Sequence, residues 1–142
     1  MRLALAEARA AFEAGEVPVG AIIVADATGR IIGRGHNMTE ALGDVTAHAE
    51  MLAITAAQTA LGGKYLRGCT LYVTVEPCTM CAGAIGWSQL SRIVIGAPDE
   101  KKGFSSICAQ GRTPFHPRAK VEWGVLEDES RALMQDFFRS LR

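Results

Sequence analysis

The 142-residue sequence has no excess of either charge, since 15 Lys and Arg stand against 15 Asp and Glu. Phosphates select for Lys and Arg, so a broadly basic nucleic-acid coat is excluded and only a local basic patch is left open. Long apolar runs are missing too. The longest uncharged stretch, residues 77–91, has 15 residues and includes Thr79, Ser88 and Gln89, whereas a membrane-spanning helix needs about 20 mostly apolar ones. No membrane span and no membrane partner are expected. No secretory leader is expected either, because Glu7 interrupts the apolar stretch that starts at Leu3. The expectation is therefore a cytoplasmic protein. Cysteines number four (Cys69, Cys78, Cys81 and Cys108), and without signs of secretion they do not read as a disulfide framework. Repeats, low-complexity tracts and linkers are absent, which predicts one domain over residues 1–142. A chain of that length can bury a proper core.

The patterning that is present predicts an α/β fold. Leu3 to Ala14 is Ala-rich and stops at Gly15, a helix with a C-terminal signal. Two β-branched runs, Val17 to Ala25 and Arg30 to His36, flank Asp26–Gly29 and predict a hairpin. Thr46 predicts the cap of a helix over 47–61 that ends at Gly62–Gly63. Cys69 to Val75 alternates as a strand, and Pro77 predicts the opening of a helix through about Trp87. Arg92 to Gly96 and Lys120 to Gly124 complete five strands. About two dozen residues separate the last two, which is enough for a parallel crossover. Leu126, Leu133, Met134, Phe137, Phe138 and Leu141 then fall on one helical face. The order implies a mixed five-stranded sheet flanked by helices.

Two short motifs carry chemistry: His48-Ala49-Glu50 and Pro77-Cys78-Thr79-Met80-Cys81. One imidazole and two thiolates suit zinc and leave a fourth tetrahedral position for water. Cys78 and Cys81 are three residues apart, on one face of a helix whose N-terminus favours thiolates. A three-ligand zinc brings bound water toward a pKa of about 7, and Glu50, two residues from His48, can move that water's proton to a substrate. Hydrolysis at an electrophilic centre follows. Taken separately, HAE also reads as a helix start and CxxC as a redox pair. A structural zinc completed by Cys69, Cys108, His36 or His116 is a further reading. Glu50 counts against that last one, because a structural site gains nothing from a carboxylate beside the metal.

HAE followed by PCxxC resembles the signature of the zinc-dependent cytidine and nucleobase deaminase superfamily. Glu16-Val17-Pro18-Val19-Gly20-Ala21, Thr46 to Glu50, Leu71 to Cys78, Met80 to Ala84 and Asp136-Phe137-Phe138-Arg139 are similar to the branch of bacterial tRNA adenosine deaminases. The likeness runs from the first helix to the last. His rather than Cys as first ligand also favours this and the nucleobase branches over free-cytidine deaminases. The resemblance implies a three-layer α/β/α cytidine-deaminase-like fold. It implies one Zn2+ per subunit on His48, Cys78 and Cys81, with Glu50 as proton shuttle. Water would add at C6 of the wobble adenosine in a tRNA anticodon loop, and ammonia would leave to give inosine. The partner implied is the anticodon stem–loop, an arginine tRNA with an ACG anticodon, met by a homodimer.

For substrate contacts the resemblance points to Asn37, to Pro18 and Val19 at the base pocket, and to the backbone N–H groups of Ala49 and Cys78. Asp99 and Lys101 match an RNA-contacting loop, and Phe137, Phe138 and Arg139 match a terminal RNA contact. On their own, Asn37 reads as a turn residue, Val19 as strand core, Asp99 and Lys101 as loop charges, and the two Phe as a helical face. Pro98 stands where many relatives carry a basic residue, Phe104-Ser105-Ser106 replaces a smaller stretch, and Trp87 reads as core or interface. The rival substrate is a free nucleobase, guanine or cytosine, at the same zinc site; a non-catalytic zinc-stabilised binding module is the rival outside enzymes. Charge is uneven beneath the neutral total. Residues 101–120 hold five basic side chains and no acid, and residues 121–138 hold five acids and one base. That places a basic connection at the expected mouth of the site.

Overall fold

The computed structural model describes residues 1–109 and 111–142. Alanines at helical spacing let α1 (Arg2–Glu13) bury Ala4, Leu5, Ala8 and Ala11, and Gly15, at φ +78°, turns the chain out of it. The expected hairpin follows as β1 (Gly20–Ala25) and β2 (Arg30–His36), antiparallel with a bulge at Ile23–Val24. Val17–Val19 stay outside the strand. Pro18 has no N–H for a ladder, and the Val19 N–H donates to the Val17 carbonyl at 2.8 Å instead.

A one-turn helix that the sequence did not predict, α2 (Thr39–Leu42), leads into α3 (Ala49–Leu61). Thr46 does not cap α3. Its N–H and hydroxyl both donate to Asp44 Oδ1, at 2.8 and 2.7 Å, which makes a local turn, and His48 takes the cap position. The helix ends at Gly62, φ +68°, as its glycines predict. Strand β3 (Cys69–Val75) is followed by α4 (Thr79–Ser88), whose cap is Cys78. Pro77 therefore precedes the cap and is not the first helical residue. Strands β4 (Arg92–Ala97) and β5 (Lys120–Glu122) and helix α5 (Glu127–Ser140) complete the chain. β5 stops before Trp123 and Gly124.

The sheet order is β2-β1-β3-β4-β5. β1 runs antiparallel to β2 and β3, while β3, β4 and β5 are parallel, so the sheet is mixed and the long connection is the parallel crossover. Alternation along the strands sends Ala21, Ile23, Leu71, Val73, Ile93 and Ile95 into one core with Ala49, Ala53 and Ala57 of α3 and Ala82 and Ile85 of α4. The valine, leucine and isoleucine side chains among them contribute about 1.5–3 kcal/mol each on burial. Helices α1 and α5 cover the opposite face, and the three α/β/α layers are complete. In α5 only Phe137 and Ser130 are buried, so the predicted apolar face is half solvent-exposed and Phe138 and Leu141 stand in water. The acidic run becomes the first turn of that helix, where Glu127, Asp128 and Glu129 complement the helix dipole.

Candidate metal centre

The site is built where two helix N-termini meet the ends of the strands. β2 carries glycine at 35 because α3 lies directly on it. A Cβ there would sit 2.2 Å from the Ala49 carbonyl oxygen, so only glycine lets the helix start so close to the sheet. His48 and Cys78 occupy the caps of α3 and α4, both with extended backbone, and Cys81 lies one turn into α4. The three donor atoms fall within 4.8 Å of one another. His48 Nδ1 is 3.7 Å from Cys78 Sγ and 3.5 Å from Cys81 Sγ. Among the described residues this is the one group that could hold a metal ion.

The electrostatics suit a cation. Cys78 is brought down to about 5 by the Cys81 thiol that hydrogen-bonds to it and by the N–H groups of Cys81 and Met80 pointing at its sulfur, with help from the charge of His48. Cys81 is pushed up, because its thiol donates a hydrogen bond to the Cys78 sulfur and is buried beside Glu50. One thiolate is thus preformed, and the second needs a metal to displace its proton. Glu50, 3 % exposed, is raised to about 6 by burial, with the negative charge of Cys78 adding to it. A buried carboxyl poised near neutrality beside a metal-binding triad can both take and give a proton near pH 7.

None of the four alternative ligands joins the triad. His36 Nδ1 pairs with Glu7 at 2.8 Å, His116 Nδ1 accepts the Arg118 N–H, Cys69 is buried behind the Arg67 carbonyl, and Cys108 packs against the core. A one-imidazole, two-thiolate set with a free coordination position fits catalytic zinc better than structural zinc.

The remaining residues separate into groups. Asn37 is buried; its Oδ1 accepts the Ala49 N–H at 3.0 Å, and its own N–H donates to Val19 at 3.2 Å. The Ala49 N–H is accordingly engaged and does not point at a base. The first N–H groups of α3 need an acceptor, and the His48 side chain supplies none. Pro18 is buried and Val19 half-buried against the core. Asp99 Oδ1 accepts the N–H groups of Lys101 and Lys102, both at 3.0 Å, so Asp99 shapes its loop while Lys101 is exposed. Phe137 is buried edge-on to Phe12, 5.6 Å between centroids, which makes it core. Phe138 is 47 % exposed, and Arg139 is exposed and paired with Asp136 at 3.1 Å. Trp87 is 85 % exposed, so it is not core.

The basic run does not gather at the mouth. Lys101 and Lys102 lie on the loop beside Cys78, whereas Arg118 shares a cleft with Arg67, Gln89 and Ser91 at the other end of the sheet. Sequence reasoning also passed over two buried carboxylates. Glu16 accepts from Ala41, Glu40 and Thr39, and Glu76 accepts from Asp99 and Ser105. Their signal was an acid set among β-branched residues and proline, where an unpartnered charge would be costly.

Residues 1–97 match the model of the cytidine and deoxycytidylate deaminase zinc-binding region. The tRNA-specific adenosine deaminase of Aquifex aeolicus is 47% identical over 144 residues, covering 100% of this chain and 93% of that protein. A solved structure from studies of A-to-I editing by tRNA:A34 deaminases at the wobble position superposes with a TM-score of 0.85 at 46% identity, covering 94% of this chain and 96% of the other. A guanine deaminase from Nitrosomonas europaea superposes at 0.79 with 28% identity, over 96% of this chain and 81% of the other.

Proposed function

Because the chain belongs to the zinc-dependent cytidine and deoxycytidylate deaminase family, we propose that it hydrolyses the wobble adenosine of a tRNA anticodon loop to inosine, releasing ammonia. The observation that carries this reading is the His48–Cys78–Cys81 triad with Glu50 buried beside it, in a chain 47% identical along its whole length to a tRNA-specific adenosine deaminase. The guanine deaminase likeness, at 28% identity, speaks for the shared fold more than for the substrate.

His48 Nδ1, Cys78 Sγ and Cys81 Sγ would hold one zinc ion, which supplies the Lewis acidity that makes water nucleophilic at neutral pH. Glu50 takes the proton of the attacking water and returns it to the base as C6 becomes tetrahedral. It then passes the remaining proton of the new C6 hydroxyl to the amino group, whose bond to C6 breaks as the C6 carbonyl forms, so that adenosine and water become inosine and ammonia. Its pKa of about 6 lets it both accept and donate near pH 7. The N–H of Cys78, and Asn37 through its amide nitrogen, orient the base, and Pro18 and Val19 wall the pocket. Lys101, Phe138 and Arg139 are exposed and meet the RNA by phosphate pairing and stacking; Phe137 supports Phe138 from the core.

The finer reading is an arginine tRNA with an ACG anticodon, acted on by a homodimer in the cytoplasm. The exposed indole of Trp87 on α4 offers apolar surface for a second copy. No helix among the described residues is long and apolar enough to cross a membrane. The test incubates the zinc-loaded protein with an ACG-anticodon stem–loop, free adenosine, guanine and cytosine, and measures ammonia and inosine. Turnover of the stem–loop alone is expected. Turnover of a free base with none on the stem–loop overturns the substrate assignment.

A further inference from the structure

Glu76 sits two residues before Cys78, is 4 % exposed, and takes no part in the chemistry above. Its two oxygens divide one loop between them. Oε2 accepts the Asp99 N–H and Oε1 the Ser105 N–H, each at 2.9 Å. Beside it the Phe104 N–H donates to the Pro77 carbonyl at 2.9 Å, and Cys78 pairs with Gly103 in an isolated antiparallel bridge. Asp99 then gathers the N–H groups of Lys101 and Lys102. Gly103 closes the arrangement, since a Cβ there would lie 2.2 Å from Glu76 Cδ and 2.5 Å from the Asp99 carbonyl oxygen. The loop is therefore wrapped around one carboxylate that belongs to the metal-binding segment.

We propose that Glu76 is a positioning residue for substrate binding: its carboxylate fixes the 99–105 loop, with Lys101 and Lys102, against the Cys78 segment so that the loop meets the RNA already formed. A loop ordered in advance spares binding the cost of ordering it, and the two lysines stay at a constant offset from the site where the base is converted. The substrate in this inference rests on the tRNA reading above.

Glu76→Gln tests it. A carboxamide keeps one acceptor oxygen and turns an NH2 toward the second N–H. Zinc content, amide hydrogen exchange and steady-state kinetics on the ACG-anticodon stem–loop are measured together. The expected protein holds zinc one to one and exchanges the Asp99 and Ser105 amides faster, with β3 and β4 unchanged. Its KM rises about tenfold while kcat stays within about twofold. An unchanged KM, or a kcat that falls in step with lost zinc, overturns the proposal, because a merely structural carboxylate would lower the active fraction without moving KM. Should Glu76→Gln not fold, Gly103→Ala crowds the same carboxylate from the loop side and must raise KM in the same way; a wild-type KM there is equally fatal. If the wild-type protein does not act on the stem–loop, the tRNA reading fails separately. Hydrogen exchange then decides the positioning role, in favour when acceleration is confined to residues 99–105 and against when it spreads through the sheet.

Discussion

Asn37 and Ala49 are joined by a 3.0 Å hydrogen bond from the helix N–H to the side-chain Oδ1, and this bond ties the end of β2 to the helix that begins at His48. A metal ligand at a helix cap is only as well placed as the cap itself, and here the capping oxygen comes from 12 residues upstream. Asn37→Ala leaves the buried Ala49 N–H without an acceptor, a loss of about 1–3 kcal/mol, or a fall in Tm of roughly 3–10 °C. Asn37→Asp keeps an acceptor and adds a charge the helix N-terminus favours, so its Tm should lie above that of the alanine variant. Thermal melting of the pair checks this, and equal losses would show that capping is not the role of Asn37.

Glu16 holds α2 as Asn37 holds α3. Burial raises its pKa, but the N–H groups of Ala41 and Glu40 and the Thr39 hydroxyl outweigh that and hold its carboxyl below the usual range. A group whose folded pKa is depressed stabilises the fold above its unfolded value and stops doing so as pH falls through the folded one. Glu16→Gln should accordingly lower Tm at pH 7, and the gap from the wild type should shrink as pH falls below about 4.5. Melting curves from pH 7 to pH 3 test it; a gap that stays constant, or widens in acid, would remove the linkage.

Signals that are local in the chain were legible before the fold was. The alternation of β3, the glycine ends of α1 and α3, and the pairing of HAE with PCxxC each lie within a few residues, and each led to the element or site found. What stayed hidden depends on contacts distant in sequence. Helix α2 is four residues long and stands on the Glu16 carboxylate, which no window around Thr39 contains. Thr46 is the local exception: it has the residue type of a cap but is drawn into a turn by Asp44, two positions away. Distance in space split the basic run: its residues are neighbours in sequence, but the crossover carries Arg118 from one end of the sheet to the other. Phe137 and Phe138 look alike in the helical pattern, and only the position of Phe12 decides which is buried.

The terminal phenylalanines should therefore part company on substitution. Phe137→Ala empties a site packed against Phe12 and costs about 3–5 kcal/mol, a large share of the 5–15 kcal/mol typical of a domain. Phe138, half in water, should cost about 1 kcal/mol or less and instead raise KM for the stem–loop through lost stacking. Melting and kinetics on the two variants separate these roles. A Phe138→Ala protein with wild-type KM would leave that ring without a part in RNA binding.

Glu50→Gln keeps the shape of the side chain and removes its ability to carry a proton. The variant should bind zinc one to one and lose turnover by at least about 10²-fold, in the range that positioned acid–base groups supply. Metal analysis beside the ammonia assay makes the distinction, since a residue that only held the metal would lose both together. Retained activity would take the proton shuttle away from Glu50.

Stripping the metal with a chelator should uncover one reactive thiol rather than two. Cys78 is half-buried, and with a pKa of about 5 it is almost wholly thiolate at pH 7. Cys81 is buried and pushed up, so it stays protonated and slow. Thiolate, not thiol, attacks an alkylating reagent. In a Cys108→Ser background, chelated protein treated with iodoacetamide at pH 7 should label fast at Cys78, and the rate should fall as pH drops through about 5. Stoichiometric zinc should suppress the labelling and restore deamination in the same samples, because the sulfur that reacts is the one that binds the metal. Peptide mapping identifies the site. Fast labelling at Cys81, or labelling of Cys78 that zinc does not slow, would contradict the assignment of Cys78 as the preformed thiolate of the metal centre.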